Sequence, residues 1–203
     1  KWLLTQLQTV RMDLKKIQTA QSSSQKKINY QQARKHYKHV EFFIEYYSPL
    51  EAKLYINGPL VPKHEIDLGK RMLPPQGFQR IEEIVYSITV LDEKKALQKE
   101  ISLLTKQLIA LEQYYSSAEI TDDALLDMCQ LQLFRMAASN LNGYDATISQ
   151  SNIPETLWAL EGVEQVINLF KPYSLQSEII NECYQLLHKE ISKGKTLLDK
   201  NNN

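Results

Sequence analysis

The sequence is short of residues that interrupt helices. It has six glycines and seven prolines in 203 positions, and most of them fall between residues 49 and 77. Elsewhere, segments rich in Leu, Gln, Lys and Glu run without a breaker, which predicts helices. No period-two alternation persists anywhere, so strands are not expected. Excess charge of either sign is also missing, because Lys+Arg and Asp+Glu are both 24. That argues against a nucleic-acid partner, whose capture rests on a basic surplus facing phosphate. The local basic run from Lys35 to Lys38 reads as a solvated helix face. No apolar run approaches the ~20 residues that a bilayer-spanning helix requires. There are only two cysteines, Cys129 and Cys183, both in helical patterns. They read as free buried thiols, or as a disulfide between two helices if the protein is exported. C-x-x-C-H does not occur, so this chain has nothing to attach a c-type haem covalently. G-x-x-x-x-G-K-[ST], G-x-G-x-x-G and G-x-S-x-G are likewise missing, which removes the common phosphate cradles and the nucleophile elbow.

What is present is helical periodicity. Leu3, Leu7, Val10, Leu14 and Ile17 mark a first helix over about 1–21. Ser24 is the expected cap of a second, over about 26–47, with the seam Ala33, Tyr37, Val40, Ile44 and Tyr47. Residues 48–75 read as a long Pro/Gly-containing loop with a short helix near Leu50–Ile56. A third helix, about 76–89, follows, with a break at Leu91-Asp92-Glu93. The fourth runs to about 117 on Leu97, Ile101, Leu104, Leu108, Leu111 and Tyr115. Thr121 caps a fifth that closes near Asn142-Gly143, and Ser151 to Glu155 opens a sixth that closes before Pro172. Ser174 to about Leu198 is a seventh, carrying Ile179, Ile180, Cys183, Leu186, Leu187 and Ile191. The expectation is an all-α, up-and-down bundle of about seven helices, forming a single domain over 1–203. Lys1 is not an initiator methionine, and the chain reads as a piece of a longer protein.

Chemistry concentrates at two carboxylates. Tyr37-x-x-Val40-Glu41-x-x-Ile44 and Phe78-x-x-Ile81-Glu82-x-x-Val85 repeat one template, so two helices each set a Glu beside an apolar seam. A buried carboxylate needs a charge, a metal or hydrogen bonds. Glu82 and Glu41 are therefore candidate metal ligands, as in bundles whose facing helices supply core carboxylates. Alternatively each Glu is a structural residue bonded to a tyrosine, an arginine or free helix-end N–H groups, with Arg34, Tyr86 and Tyr47 as the named candidates. His36 and His39 stand three apart, a spacing that suits a metal, but both fall off the seam and read as solvated. His64 lies in the loop without a second ligand, and His188 reads as a surface residue.

Gly77-Phe78-Gln79-Arg80-Ile81-Glu82 resembles the G-x-H-x-x-E motif of the imelysin family, with Gln79 where the family has histidine. The resemblance implies an exported, all-helical protein of the kind that handles iron. It implies a divalent or ferric metal held at Glu82, with Gln79 in place of the better imidazole ligand. That replacement argues against peptidase activity. A second stretch of likeness covers Arg34 to Tyr47, Tyr55 to Leu60 and Pro74 to Glu83. It is similar to the helical region preceding the haem domains of Bacteroidetes cytochrome c peroxidase-like proteins. Arg34, Tyr37, Gly77, Phe78, Gln79 and Glu82 carry it. This second resemblance implies a periplasmic location, with an anchor through a removed N-terminal signal, and a di-haem domain outside this chain. The chain itself would then be a non-catalytic module for a protein partner or an attached haem domain.

Overall fold

The computed structural model describes residues 1–58, 63–65, 71–86, 93–140, 145–173 and 177–201. They form a helical bundle of eight helices, counting one of three residues, with one small hairpin. Helix α1 (Trp2–Thr19) buries all five of its expected seam residues. The chain then turns within three residues into α2 (Ser23–Tyr47), and the two pack on each other. The cap of α2 is Ser22 rather than Ser24. Ser22 has the extended backbone of an N-cap, and its Oγ accepts the Gln25 N–H at 3.1 Å.

Helix α2 is the axis of the molecule, because α1, α4, α6 and α7 all pack on it. Every residue from Tyr37 to Ile44 is consequently buried. Its closest neighbour is α7, where a Cβ at Gly162 would overlap the His39 backbone. After Pro49 a short helix, α3 (Pro49–Glu51), widens into a π-turn over Ala52–Ile56. The predicted loop is therefore helical at its start, and it also contains an antiparallel pair, β1 (Lys63–Glu65) and β2 (Arg71–Leu73). Strands of three residues are too short to show a period.

Gly77 enters α4 (Phe78–Tyr86) with φ +63°, a left-handed value that favours glycine. Helix α5 (Glu93–Tyr115) buries its whole expected seam against α1 and α4. Helix α6 (Asp122–Arg135) is capped by Thr121, as its sequence predicts, and packs on α2. It continues as a π-turn through Asn140. The expected cap at Asn142-Gly143 and the break at Leu91-Asp92 lie outside the described residues. Helix α7 (Asn152–Phe170) ends in a 3-10 turn that contains Pro172, and α8 (Ser177–Asn201) lies on α7. The α8 pattern splits: Ile180 and Ile191 are buried, whereas Ile179 and Leu186 are exposed. Cys129 is buried and Cys183 is exposed, and both are free thiols.

Candidate functional site

Helical spacing puts Arg34, Lys38, Glu41 and Glu45 on one line of α2. That line faces α6, α7 and the segment 145–151, and it carries a buried charge network. Arg34 and Lys38 are almost wholly shielded from solvent. Arg34 Nε donates to Glu155 Oε1 at 2.9 Å, and Nη2 donates to Glu155 Oε2. Nη1 donates to Asn57 Oδ1 at 3.1 Å, while Nη2 lies 3.3 Å from Asp145 Oδ2. Lys38 Nζ donates to Asp145 Oδ2 and, at 2.7 Å, to Glu41 Oε1. Glu41 is completed by Gln132 Nε2 at 3.1 Å and Arg135 Nη2 at 3.3 Å. Burial opposes the charges of Arg34, Lys38, Glu41 and Asp145, yet for these four the pairing wins. Asp145 is held well below the carboxylate range by Lys38 and Arg34. Glu41 is lowered by Lys38 and Arg135, and Lys38 is raised by Asp145 and Glu41.

Helix α4 and the segment 145–151 form the second half of the site. Asn57 Nδ2 donates to Asp145 Oδ1 at 2.5 Å, and Gln79 Nε2 donates to the Asp145 carbonyl at 2.8 Å and to Asn57 Oδ1 at 3.1 Å. One turn on, Glu82 Oε1 accepts the Ser149 N–H at 3.0 Å. Ser149 Oγ lies 2.8 Å from Ser151 Oγ, which donates to Glu155 Oε1 at 3.1 Å. Asn152 ties the segment back on both sides of Ala146, and Gln150 takes a left-handed φ of 55° to lead into α7. Burial pushes the Glu82 carboxyl up, against the opposing pull of the Ser149 bonds and Arg34. Glu82 Oε2, Gln79 Oε1 and Thr147 Oγ1 are buried without a hydrogen-bond partner among the described residues.

No protein-family model matches the chain, and no curated protein matches it.

The three candidate ligands do not share one centre. Glu41 belongs to the Lys38–Arg135 side of α2, whereas Gln79 and Glu82 face the 145–149 segment. Glu41 meets an arginine, but it is Arg135 rather than Arg34, together with Lys38 and Gln132, and Glu82 meets the backbone N–H of Ser149 rather than Tyr86 or Tyr47. Among the described residues no group of three or more His, Cys, Asp or Glu is placed to hold a metal. The histidines also differ from expectation. His39 is buried with Nε2 3.2 Å from Glu161 Oε2, and His36 Nδ1 lies 2.6 Å from Asp13 Oδ2. Their rings meet edge to face at 5.9 Å, each committed to its own carboxylate. His188 is exposed beside Glu164, as expected, and the His64 side chain lies outside the described residues.

The sequence reading missed Lys38, Asp145, Asn57, Ser149, Ser151 and Glu155. For Lys38 a signal exists, since it stands between Arg34 and Glu41 on one helical line of charges beside an apolar seam. The residues of 145–151 carry no periodic signal at all.

Glu45 ends the α2 stripe and gives it a pH dependence. Burial pushes its carboxyl up to about 7, although Arg135 lies 3.6 Å away. The folded protein therefore binds this proton more tightly than the unfolded chain. Its contribution to stability falls as pH rises from 4.5 to about 7 and then stays low. Glu45→Gln is expected to stabilise the protein by about 1–2 kcal/mol at pH 8 and to leave it unchanged near pH 4. Urea titrations at the two pH values check this, and equal midpoint shifts would contradict it.

Proposed function

We propose that this chain is a non-catalytic helical interaction module of the imelysin-like type, working in the periplasm with or attached to a di-haem cytochrome c peroxidase. The observation that carries the module reading is the outer face of α6. Leu126, Leu131, Leu133 and Phe134 are 45–64% exposed there, while Leu125, Met128 and Cys129 bury the opposite face. Large apolar side chains exposed on the face opposite a helix's core contacts, here among Asp127 and Gln130, mark a surface that a partner can cover. The interior charges support the same reading, because Arg34 and Lys38 are spent on holding helices together and do not face a cleft. The peroxidase comes from the sequence resemblance and is the part most exposed to test. Tagged protein, isolated from the cells that make it, should retain a haem protein visible by its Soret absorbance. Phe134→Glu should reduce that haem about tenfold or more, as loss of a buried aromatic anchor does. Isolation of the unaltered protein free of haem would remove the peroxidase.

The second reading is a metal site at the α4 entry, favoured by the unpartnered Gln79 Oε1 and Glu82 Oε2 on successive turns. An amide and a carboxylate oxygen, with Thr147 Oγ1 also unpartnered, suit a hard ion such as Fe³⁺ better than a soft one. Calorimetric titration should then show Fe³⁺ binding with a single site per chain. Glu82→Gln should weaken it at least about 100-fold if the carboxylate is a ligand. Equal affinity in both proteins would dismiss Glu82 as a ligand.

A further inference from the structure

The cleft between α1 and α5 is charged with one sign in a chain that has no net charge. It has a volume of about 730 Å³ and continues past Gln18 and Gln98 into a second hollow that reaches Gln21. From Gln8 to Gln21 it follows thirteen residues of the chain, about 20 Å at helical rise. Its floor is apolar and nearly closed: Ile101 and Leu97 are each 3% exposed at the bottom, and Met12 stands 57% exposed on one wall. Among the described residues every ionisable one lining it is basic. Two of these cations are already committed, Arg11 to both oxygens of Glu112 at 3.0 and 2.7 Å, and Lys26 to Glu93 at 2.7 Å. Lys15, Lys94 and Lys106 are exposed and have no acidic partner among the described residues.

We infer that this cleft docks an acidic amphipathic helix of a protein partner. An apolar floor takes the leucine-type face of such a helix, and lysines on both walls meet carboxylates on its flanks. The length suits about three and a half turns of helix. Three separated lysines among glutamines and hydroxyls, above a greasy floor, fit carboxylates better than the regular phosphates of a nucleic acid. The inference rests on the module reading and deepens it by naming the chemistry of the partner and where it binds.

The probe is a synthetic fourteen-residue helical peptide with leucines at i, i+3, i+7 and i+10 and glutamates on both flanks, labelled for fluorescence anisotropy. A matched peptide carries lysine at each glutamate. The glutamate peptide should bind the unaltered chain at least about tenfold more tightly than the lysine peptide, with affinity falling as salt rises. The Lys15→Glu, Lys106→Glu double variant should reverse that preference, and circular dichroism should show its helicity unchanged because both side chains are exposed. No binding of either peptide, equal binding of both, indifference to the double variant, or stronger capture of single-stranded DNA would each overturn the inference. Failure of the inference and of the module reading separate cleanly. Loss of partner haem in Phe134→Glu with no effect of the lysine variants leaves the module and removes the cleft, whereas indifference of the haem-bearing partner to both sets of variants removes the module.

Discussion

Arg34→Met is expected to cost the fold about 3–5 kcal/mol, the scale for removing one partner of a buried ion pair. Among the described residues the guanidinium is the only group that donates to both oxygens of Glu155 through paired bonds, and it also stands beside Asp145. Without it, Lys38 must answer Asp145, Glu41 and, from 3.7 Å, Glu155. One carboxylate is left in a dry site without a counter-charge, which costs more than the pair itself contributes. Relief follows if that carboxylate takes up a proton, so the loss should be smaller at pH 5 than at pH 8. Adding Glu155→Leu should recover much of the loss, since an apolar pair of similar volume is often as stable as the ions it replaces. Urea unfolding of the two single variants and the double gives the coupling energy. A coupling near zero would show that Arg34 and Glu155 do not depend on each other.

Gly77→Ala is the second large effect, expected at about 2–4 kcal/mol. A left-handed backbone costs a residue with a Cβ about 1–2 kcal/mol. Here the added carbon would also overlap the Ile56 carbonyl oxygen, so the π-turn end or the α4 entry must move. Moving the entry disturbs three anchors: the Gly77 N–H bond to Glu100 at 2.6 Å, the backbone bridge to Asn57, and the Gln79 contacts one turn away. Thermal unfolding should show a shift of about 2–4 °C for each kcal/mol at this chain length. Gly58→Ala is the control, because its Cβ would approach Gln76 at 3.0 Å without the left-handed backbone. An equal shift in both variants would show that the φ of Gly77 has no special weight.

The helices were legible because their seams are long and regular. Leu3 to Ile17 on α1 and Leu97 to Tyr115 on α5 are buried as their spacing requires. The left-handed entry at Gly77 was legible from one glycine standing before an amphipathic run. The interior of α2 was not. A helix surrounded by four others buries its polar line as well as its apolar one, and periodicity alone assigns such a line to solvent. Lys38 and His39 were misread for that reason. Glu82 was singled out correctly as a buried carboxylate, yet its partner is a backbone N–H at Ser149, which leaves no trace in side-chain identity. Ser24 was preferred as a cap because nothing in the sequence separates three consecutive serines.

The distance along the chain between Arg34 and Glu155, 121 residues, has a consequence for how the protein is made. Synthesis delivers α1 and α2 first, with two cations on a face that ends up dry. Glu41 already stands beside Lys38 on α2, but the anions of Arg34 arrive only with Asp145 and Glu155, after α6 has been completed. Until then that face of α2 has reason to stay hydrated, because burying Arg34 or Lys38 unpaired is costly. Early hairpin formation by α1 and α2 is open to the nascent chain through their apolar seams, but sealing the polar side must wait for α7. A chain broken off before Glu155 therefore leaves Arg34 without the carboxylate that takes its paired bonds.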